Sequence, residues 1–360
     1  MNFEMDRIKI GAVGLGMAWE RLHKPAYARL KDKFEIAAVC DRNIGTARAA
    51  AKALNLPETA AYGDFIHMLR HADIDAVDLM LPITENFEAA KAVMSADRHL
   101  IAEKPFASSP EGAEELIRLA DRTKSKVLVA ENIRYNEESA LIKKLIAENR
   151  IGRVVYFIDN HIKDFSKDMM KDAFASAEWR QHPDFRGGVF LDSAVHHIAL
   201  HRFLFGGLLR VSAEGTPARL DFSPYSCFNA IFAFDNGVTG HYAFFLTGAE
   251  TQAPLAGLRI FGTDGEIYLE DKNCGFVNIS YKGGGHEAIP YKPGEGYFHE
   301  LKNFYEAVKN NAEIVSTPRK ELGDIQTIFS ILRSIEERSA GNVYGSFVIG
   351  AVNRQMSMID

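Results

Sequence analysis

Short apolar runs alternate with stretches of helical character from residue 7 to residue 132. The run at 74–81 is continuous, which is typical of a strand covered on both of its faces. The other runs lie at 7–13, 34–40, 99–103 and 126–132, and helical stretches lie at 17–30, 44–54, 85–96 and 109–122. This β-α-β alternation predicts a doubly wound parallel sheet. Pro25 is expected to kink or divide the first helix.

A different pattern begins after about residue 135. Its predicted elements, in chain order, are a helix at 136–149, a half-exposed strand at 152–162, a long loop at 163–190, a helix at 191–205, longer strands up to residue 271, and two closing helices at 296–311 and 319–339. Hairpin turn signals at 235–237 and 263–265 separate apolar segments. We therefore predict a second α/β domain with a large, mostly antiparallel open sheet. The predicted division is 1–133 and 134–360, with the last helices free to pack back on the first domain.

Composition and charge exclude several classes of protein. Apolar residues make up 47% of the 360 residues and charged residues 25%, as in soluble globular proteins. The 42 basic and 48 acidic residues give a net charge of −6, so we predict no nucleic-acid partner. No apolar run approaches the ~18 residues of a membrane span. The first residues also lack the pattern of a secretory signal, so we predict no membrane association.

The cysteines and histidines give no sign of a metal centre. Cys40, Cys227 and Cys274 lie far apart without a CxxC spacing, which predicts neither a disulfide framework nor a zinc site and fits a reducing cytoplasm. His197 and His201 stand four residues apart, as metal ligands on a helix often do. No third ligand has a suitable spacing, so we predict no metal site.

A glycine-rich turn joins the first strand to the first helix. Gly14 and Gly16 occupy the first two positions of a GxGxxG pattern, which permits a tight turn and a close approach to a pyrophosphate, although Trp19 replaces the third glycine. Asp41 ends the second strand, where an acidic residue binds the ribose of NAD, whereas the neighbouring Arg42 leaves NADP open. We predict NAD or NADP binding, with NAD favoured, at Gly14, Leu15, Gly16, Met17, Asp41 and Arg42. S-adenosylmethionine binding and a purely structural turn are the alternatives.

Two further groups of polar residues suggest acid–base chemistry. Lys104 follows the strand at 99–103, so it lies at the carboxyl edge of a parallel sheet and can donate to a substrate oxygen. Asp192 and His196 are four residues apart in a helical stretch, so their side chains share one helix face. A histidine there can accept a hydroxyl proton near neutral pH. From the residues alone, a loop lysine and a capping aspartate beside a buried histidine remain open interpretations.

Taken in this order, the motifs resemble the Gfo/Idh/MocA family of NAD(P)-dependent sugar and polyol oxidoreductases. The matching segments are GLG (14–16), YGDFIHML (62–69), Pro82, EKP (103–105), NIRY (132–135), WR (179–180), GGVFLDSAVHH (187–197), LRIFGTDGEI (258–267) and FHELKNFYEAV (298–308). The resemblance covers nearly the whole chain. It implies an N-terminal Rossmann domain, a C-terminal α/β domain with an open sheet, and a homodimer or homotetramer formed through that sheet. Asn86 stands where many members have a histidine, and Ala199 where many have an aspartate.

The resemblance also implies roles for single residues. His196 would be the catalytic base, Lys104 would polarise the substrate oxygen, and Asp192 would orient His196 or a vicinal hydroxyl. The other implied contacts are Pro82, Asn86, Glu103 and Lys104 for the cofactor, and Arg134, Tyr135, His161, Trp179, Arg180 and His197 for the substrate.

The sequence therefore predicts a cytoplasmic NAD(P)-dependent dehydrogenase or reductase. It would act on a CH–OH group of a sugar, a sugar derivative or a cyclic polyol such as an inositol. Two alternatives stay open: a glycosidase of the same fold that retains NAD, and a non-catalytic nucleotide-sensing regulator. The presence of both Lys104 and His196 argues against the regulator.

Overall fold

The structure is a computed structural model, and it describes residues 7–170, 172–247 and 256–337. Its first sheet contains β1 (Ile8–Val13), β2 (Phe34–Cys40), β3 (Ala61–Tyr62), β4 (Ala76–Leu79), β5 (His99–Glu103) and β6 (Val127–Ala130). These strands are parallel and lie in the order β3-β2-β1-β4-β5-β6, which confirms the predicted doubly wound sheet. The order reverses between β1 and β4, and at such a switch point the carboxyl ends of the strands leave a crevice for ligands.

Helices cover both faces of this sheet. They are α1 (Lys24–Arg29), α2 (Ile44–Ala53), α3 (Phe65–His71), α4 (Ile83–Ser95) and α5 (Pro110–Ala120). Helical backbone runs without a break from residue 17 to residue 29, and a π-helical turn at Trp19–His23 leads into α1, so the predicted helix is widened at this turn rather than divided. Pro25 lies in the first turn of α1, where a missing backbone N–H is tolerated. Asp64 and Ser109 cap α3 and α5 by accepting hydrogen bonds from backbone N–H groups of the first turn.

The second sheet has eight strands. They are β7 (Val154–Ile162), β8 (Leu208–Leu220), β9 (Ser223–Phe234), β10 (Thr239–Phe245), β11 (Gly257–Gly262), β12 (Gly265–Leu269), β13 (Phe276–Tyr281) and β14 (His286–Pro290). Their order is β14-β13-β12-β11-β7-β10-β9-β8, and only the β7–β10 pair is parallel among these described strands. The mostly antiparallel sheet is thus confirmed. The sequence pattern missed β13 and β14, and most side chains of the edge strand β14 are exposed, so no alternation marks it.

The remaining helices are α6 (Glu137–Ala147), α7 (Phe165–Met169), α8 (Glu178–Gln181), α9 (Val195–Phe205), α10 (Gly296–Asn310) and α11 (Pro318–Glu337). The predicted loop at 163–190 contains α7 and α8, which are too short to show a helical period. A π-helical turn at Phe190–Ala194 leads into α9. Residues 338–339 of the last predicted helix lie outside the described residues. Among the described helices, none is both long and apolar enough to cross a bilayer.

The two faces of the second sheet differ in their surroundings. On one face, Phe157 of β7 stacks on Phe205 of α9 at 4.6 Å between ring centroids. On the opposite face, Tyr156, Ile231 and Phe276 are between 39% and 62% exposed. Helix α10 packs elsewhere, because its apolar side chains belong to the same core cluster as β1.

Candidate active site

A cleft of about 730 Å³ opens beside the carboxyl ends of β1, β2, β4 and β5. The first domain contributes the glycine turn and the residues that follow these strands. The second domain contributes residues of α7 and α8, of the turn at 190–194, and of the first turn of α9. Lys104, Asp192 and His196, the predicted catalytic residues, all line this one cleft.

The two glycines of the turn have different surroundings. Gly14 has a φ of +85°, and a Cβ atom at this position would lie 2.5 Å from the carbonyl oxygen of Met80. Only glycine fits there. A Cβ atom on Gly16 would meet no described atom within 4 Å, so this part of the backbone faces open space in the cleft. That space fits a phosphate-bearing ligand held against the turn.

Asp41 ties the glycine turn to the second strand. Its Oδ2 accepts a hydrogen bond from the backbone N–H of Leu15 at 3.0 Å, and its Oδ1 accepts one from Asn43 at 2.9 Å. The carboxylate lines the cleft and keeps lone pairs for the hydroxyls of a ribose. Arg42 extends into solvent, with 90% of its side chain exposed. The acceptor oxygens of Asp41 therefore fit a dinucleotide that presents ribose hydroxyls.

Lys104 reaches across the cleft to the second domain. Its Nζ donates to the backbone carbonyl of Asp192 and lies 3.1 Å from Oδ1 of the same residue. The Lys104–Pro105 peptide bond is cis. On the other side of this turn, the amide of Asn86 donates to the backbone carbonyl of Glu103 at 3.0 Å. Asn86 is fully buried, so it supports the turn from behind rather than lining the cleft.

Asp192 lies between two cations. Nε of Arg180 donates to its Oδ2 at 2.7 Å, and Lys104 contacts its Oδ1. Burial opposes ionisation, but Lys104 and Arg180 outweigh it and hold the pKa of the Asp192 carboxyl well below its usual range. Asp192 is therefore an anion that fixes both cations in the cleft.

His196 is oriented by Glu131, a residue that follows β6. Oε1 of Glu131 lies 2.6 Å from Nδ1 of His196, and Glu131 has no exposed surface. Burial opposes ionisation of this carboxyl, yet the nearby His196 and Lys104 lower its pKa below the ordinary value. An Nδ1–H that donates to this carboxylate leaves Nε2 as an acceptor toward the cleft. The expectation that Asp192 orients His196 is therefore corrected, because the two cations occupy Asp192 and Glu131 takes that place.

Side chains of the second domain form a mostly aromatic wall of the cleft. Trp179 and Arg180 were expected near the substrate, and both line the cleft, with the guanidinium 4.2 Å from the Trp179 ring centroid. Sequence reasoning missed the other members, which are Phe165, Met169, Phe174 and Phe185. Their only signal was a segment rich in aromatic residues without a clear period.

Four expected substrate contacts lie outside the cleft lining. Buried Arg134 is ion-paired with Asp324 of α11, and the hydroxyl of Tyr135 donates to Asn303 at 2.9 Å. Nδ1 of His197 is 2.8 Å from the hydroxyl of Tyr242, and the ring of His161 stacks on Phe244. Each of these side chains is used in packing within the protein, so their placement gives the expected substrate contacts no support. Leu15 reaches the site only through its backbone N–H, whereas the predicted cofactor contacts Met17, Pro82 and Glu103 line the cleft.

Comparison with known proteins identifies both halves of the chain. Residues 8–131 match the model described as an oxidoreductase family with an NAD-binding Rossmann fold, and residues 140–268 match the Gfo/Idh/MocA C-terminal domain. The chain is 27% identical over 342 residues to an uncharacterised protein of Saccharomyces cerevisiae, which covers 92% of this chain and 96% of that one. It is also 30% identical over 220 residues to levoglucosan dehydrogenase of Pseudarthrobacter phenanthrenivorans, covering 58% of this chain and 54% of the relative.

A solved levoglucosan dehydrogenase, in complex with NADH and levoglucosan, has the same fold. The TM-score is 0.79 at 21% identity, and the match covers 92% of this chain and 98% of that one. The two matched ranges of this chain include the glycine turn, Lys104 and His196. The chain therefore belongs to the Gfo/Idh/MocA family of NAD-binding oxidoreductases.

Proposed function

We propose that this protein transfers a hydride between NAD(H) and a CH–OH carbon of a sugar, a sugar derivative or a cyclic polyol. The observation that carries the proposal is the meeting of Lys104 and His196 in one cleft with the glycine turn. Lys104 supplies a fixed ammonium, and His196 supplies an imidazole with one nitrogen bound to a carboxylate. A base for the hydroxyl proton and a cation that stabilises the developing negative charge on oxygen both favour oxidation of an alcohol beside a nicotinamide.

The residues would act as follows in the direction of oxidation. Nε2 of His196 accepts the hydroxyl proton, and the buried carboxylate of Glu131 stabilises the imidazolium that results. The ammonium of Lys104 donates to the substrate oxygen and stabilises the negative charge that develops on it. The bound cofactor supplies the hydride acceptor. Asp192 and Arg180 hold Lys104 at its position throughout.

We favour NAD over NADP because of Asp41. Both oxygens of this carboxylate already accept backbone N–H groups, which holds the negative charge in place at the corner where the ribose would lie. A 2′-phosphate would meet that charge at short range. The exposed side chain of the neighbouring Arg42 favours NADP instead, and it lies 3.9 Å from Glu85.

The aromatic wall and the levoglucosan dehydrogenases among the relatives support a sugar substrate. Aromatic rings pack well against the CH groups of a sugar ring. Phe165, Phe174, Trp179 and Phe185 line the cleft and supply such faces. Inositols also have ring CH groups that can pack on aromatic side chains, so they belong in the same substrate class.

The proposal is tested with a panel of inositols, aldoses, keto-sugars and anhydro-sugars, each with NAD and NADP, followed by nicotinamide absorbance. Lys104→Ala and His196→Ala should abolish turnover, and His286→Ala, an exposed histidine on β14, should leave it unchanged. Cofactor binding without turnover of any alcohol would contradict the proposal. Release of a leaving group from a glycoside without net cofactor reduction would favour the NAD-retaining glycosidase, and binding without any chemistry would favour the regulator.

We further propose that the protein forms a homodimer or homotetramer through the open face of the second sheet, and that it works in the cytoplasm. The exposed Tyr156, Ile231 and Phe276 on that face and the free thiols of three cysteines support these proposals. Sedimentation should give a multiple of 40.1 kDa, and Ile231→Glu should shift it toward the monomer. A monomeric wild-type protein would contradict this assembly.

A further inference from the structure

His23 is a fully buried histidine that lies between two carboxylates. It ends the π-helical turn that follows the glycine turn, and it has no exposed surface. Its Nδ1 lies 2.7 Å from Oδ2 of Asp78 on β4, and its Nε2 lies 3.0 Å from Oε1 of Glu103 at the end of β5. One side chain thus joins the first helical segment to two neighbouring strands of the sheet.

The two contacts decide the charge of the ring. A neutral imidazole has a single N–H, so it can donate to only one of the two carboxylates. A doubly protonated ring donates to both. Burial opposes that charge, but Asp78 and Glu103 outweigh burial and raise the pKa of His23 well above its ordinary value. The hydroxyl of Tyr27 also donates to Oδ2 of Asp78 at 3.0 Å, so this oxygen is held from two sides.

Glu103 connects this cluster to Lys104. Its Oε1 faces His23, and its Oε2 accepts the backbone N–H of Lys104 at 3.1 Å. The side chain of Glu103 is 12% exposed and lines the cleft, on the same turn as the Lys104 ammonium. Without its bond to His23, the Oε1 atom of Glu103 would lose its described partner, and the ammonium of the adjacent residue Lys104 belongs to the same cleft. An ammonium drawn to Glu103 would leave Asp192.

We infer that His23 is a positioning residue that holds the Glu103 carboxylate away from the Lys104 ammonium, so that Lys104 stays on Asp192 and faces the substrate. The inference rests on the proposed function for the role of Lys104 in turnover, but not for its position. It also links the glycine turn to the lysine, because His23 belongs to the helical segment that the turn begins. The glycine turn and the ammonium of Lys104 would then be held in alignment through the buried imidazole of His23.

The test compares His23→Gln with His201→Gln. Glutamine keeps a hydrogen-bond donor but carries no charge. His201 is a matched control, because it is also buried against a carboxylate, with Nε2 2.8 Å from Oδ2 of Asp159, but lies outside the cleft lining. In the crystal structure of His23→Gln, Nζ of Lys104 should leave Asp192 and approach Glu103, whereas His201→Gln should keep the 3.1 Å contact.

Kinetics supply a second readout. A displaced Lys104 should lower kcat by about 10- to 100-fold, the range expected for a catalytic group misplaced by about 1 Å. The affinity for NADH, measured by fluorescence titration, should change far less, because the described hydrogen bonds of His23 go to Asp78 and Glu103 and not to Gly16 or Asp41. A general loss of packing would instead weaken NADH binding and turnover together. If the wild type turned over no sugar, the proposed function would fail. The crystal structures of the two variants would still show whether His23 determines the position of Lys104.

A rescue variant makes the inference sharper. In His23→Gln/Glu103→Gln the neutral amide no longer attracts the ammonium, so Lys104 should return to Asp192 and part of kcat should recover. If His23→Gln is too unstable to purify, His23→Gln/Asp78→Asn, which removes one buried negative charge, takes its place. The position of Lys104 in that variant is then compared with its position in His201→Gln. The inference is overturned if Lys104 keeps its contact with Asp192 in a folded His23→Gln, or if His201→Gln displaces it equally.

Discussion

Oε1 of Glu131 lies 2.6 Å from Nδ1 of His196, and this carboxylate has no exposed surface. The two residues belong to different parts of the chain, since Glu131 follows β6 and His196 lies in the first turn of α9. A buried carboxylate at Nδ1 fixes one tautomer of the ring and turns Nε2 toward the cleft. The orientation of the His196 ring in the cleft therefore depends on a residue that is itself buried.

Glu131→Gln should lower kcat by about 10²- to 10⁴-fold, because an amide can hold the ring in the wrong tautomer and cannot stabilise the imidazolium. The melting temperature should change much less than kcat does. Steady-state kinetics with the substrate found in the sugar panel measure the effect. Glu138→Gln is the matched control, since Glu138 is similarly buried but its carboxylate accepts from the amide of Asn136 instead of contacting His196. A Glu131→Gln enzyme with wild-type kcat would remove Glu131 from the mechanism.

The two glycines of the turn should respond differently to substitution. Gly16→Val adds atoms in open space, so the protein should fold normally while its dissociation constant for NADH rises by at least about 10-fold, or about 1.4 kcal/mol. Gly14→Ala should instead lower the free energy of unfolding by about 1–3 kcal/mol, because its backbone has a φ of +85° and its Cβ would clash with Met80. NADH titration and chemical denaturation separate the two effects.

The control for Gly16 is Gly283→Val in the turn between β13 and β14. A Cβ atom at Gly283 also meets no described atom within 4 Å, and the residue lies outside the cleft lining. It should change neither NADH affinity nor stability. Unchanged NADH affinity in Gly16→Val would mean that the pyrophosphate does not lie against this turn.

The sequence pattern predicts the parallel sheet well because its evidence is local. A continuous apolar run such as 74–81 can be covered only by elements on both faces, and the intervening helices supply that cover. The carboxyl edge of the sheet then follows from topology, and with it the position of Lys104. The edge strand β14 was missed for the opposite reason, because most of its side chains are exposed and carry no pattern.

The partners of the site residues could not be predicted, since they depend on contacts between distant segments. Glu131 and His196 are 65 residues apart, and the spacing within the helix pointed to Asp192 instead. Arg134 also follows a strand at the carboxyl edge, yet Asp324, 190 residues further on, binds its guanidinium in the interior. A lone histidine such as His23 gives no sequence signal for its two carboxylates.

Asp192→Asn should destabilise the fold and disturb the cleft together. Lys104 and Asp192 have side chains that are 8% and 11% exposed, so removal of the anion leaves a nearly buried ammonium without its counter-charge. We expect the free energy of unfolding at pH 7 to fall by about 2–4 kcal/mol. Glu35→Gln, which breaks an exposed pair with Arg7, should cost less than about 1 kcal/mol. Equal losses in the two variants, measured by denaturation, would contradict the paired role of Asp192.

Glu300 is a buried carboxyl whose protonation state affects the stability of the fold. It lies on α10 with no exposed surface, and neither of its oxygens has a hydrogen-bond partner among the described residues. Burial, together with the negative charges of Glu103, Asp78 and Glu131, raises the pKa of Glu300 well above its ordinary value of 4.5, although His23 opposes the shift. Between pH 4.5 and the raised folded pKa, the carboxyl of Glu300 therefore keeps a proton in the folded protein that it loses in the unfolded chain.

The difference between the pKa of Glu300 in the folded and unfolded states determines whether stability rises or falls with pH. Because the folded pKa is raised, the contribution of Glu300 to stability is complete below pH 4.5 and is lost as pH rises toward the folded pKa, by at most about 1.4 kcal/mol per pH unit. Glu300→Gln removes that loss, so its stability relative to the wild type should increase from pH 5 to pH 8, as measured by urea denaturation at both pH values. Asp192→Asn is the comparison, because the pKa of Asp192 is lowered and this carboxyl stays ionised in the folded protein over that interval. Its difference from the wild type should stay nearly constant between the two pH values, and a similar constancy for Glu300→Gln would show that Glu300 ionises normally in the folded protein.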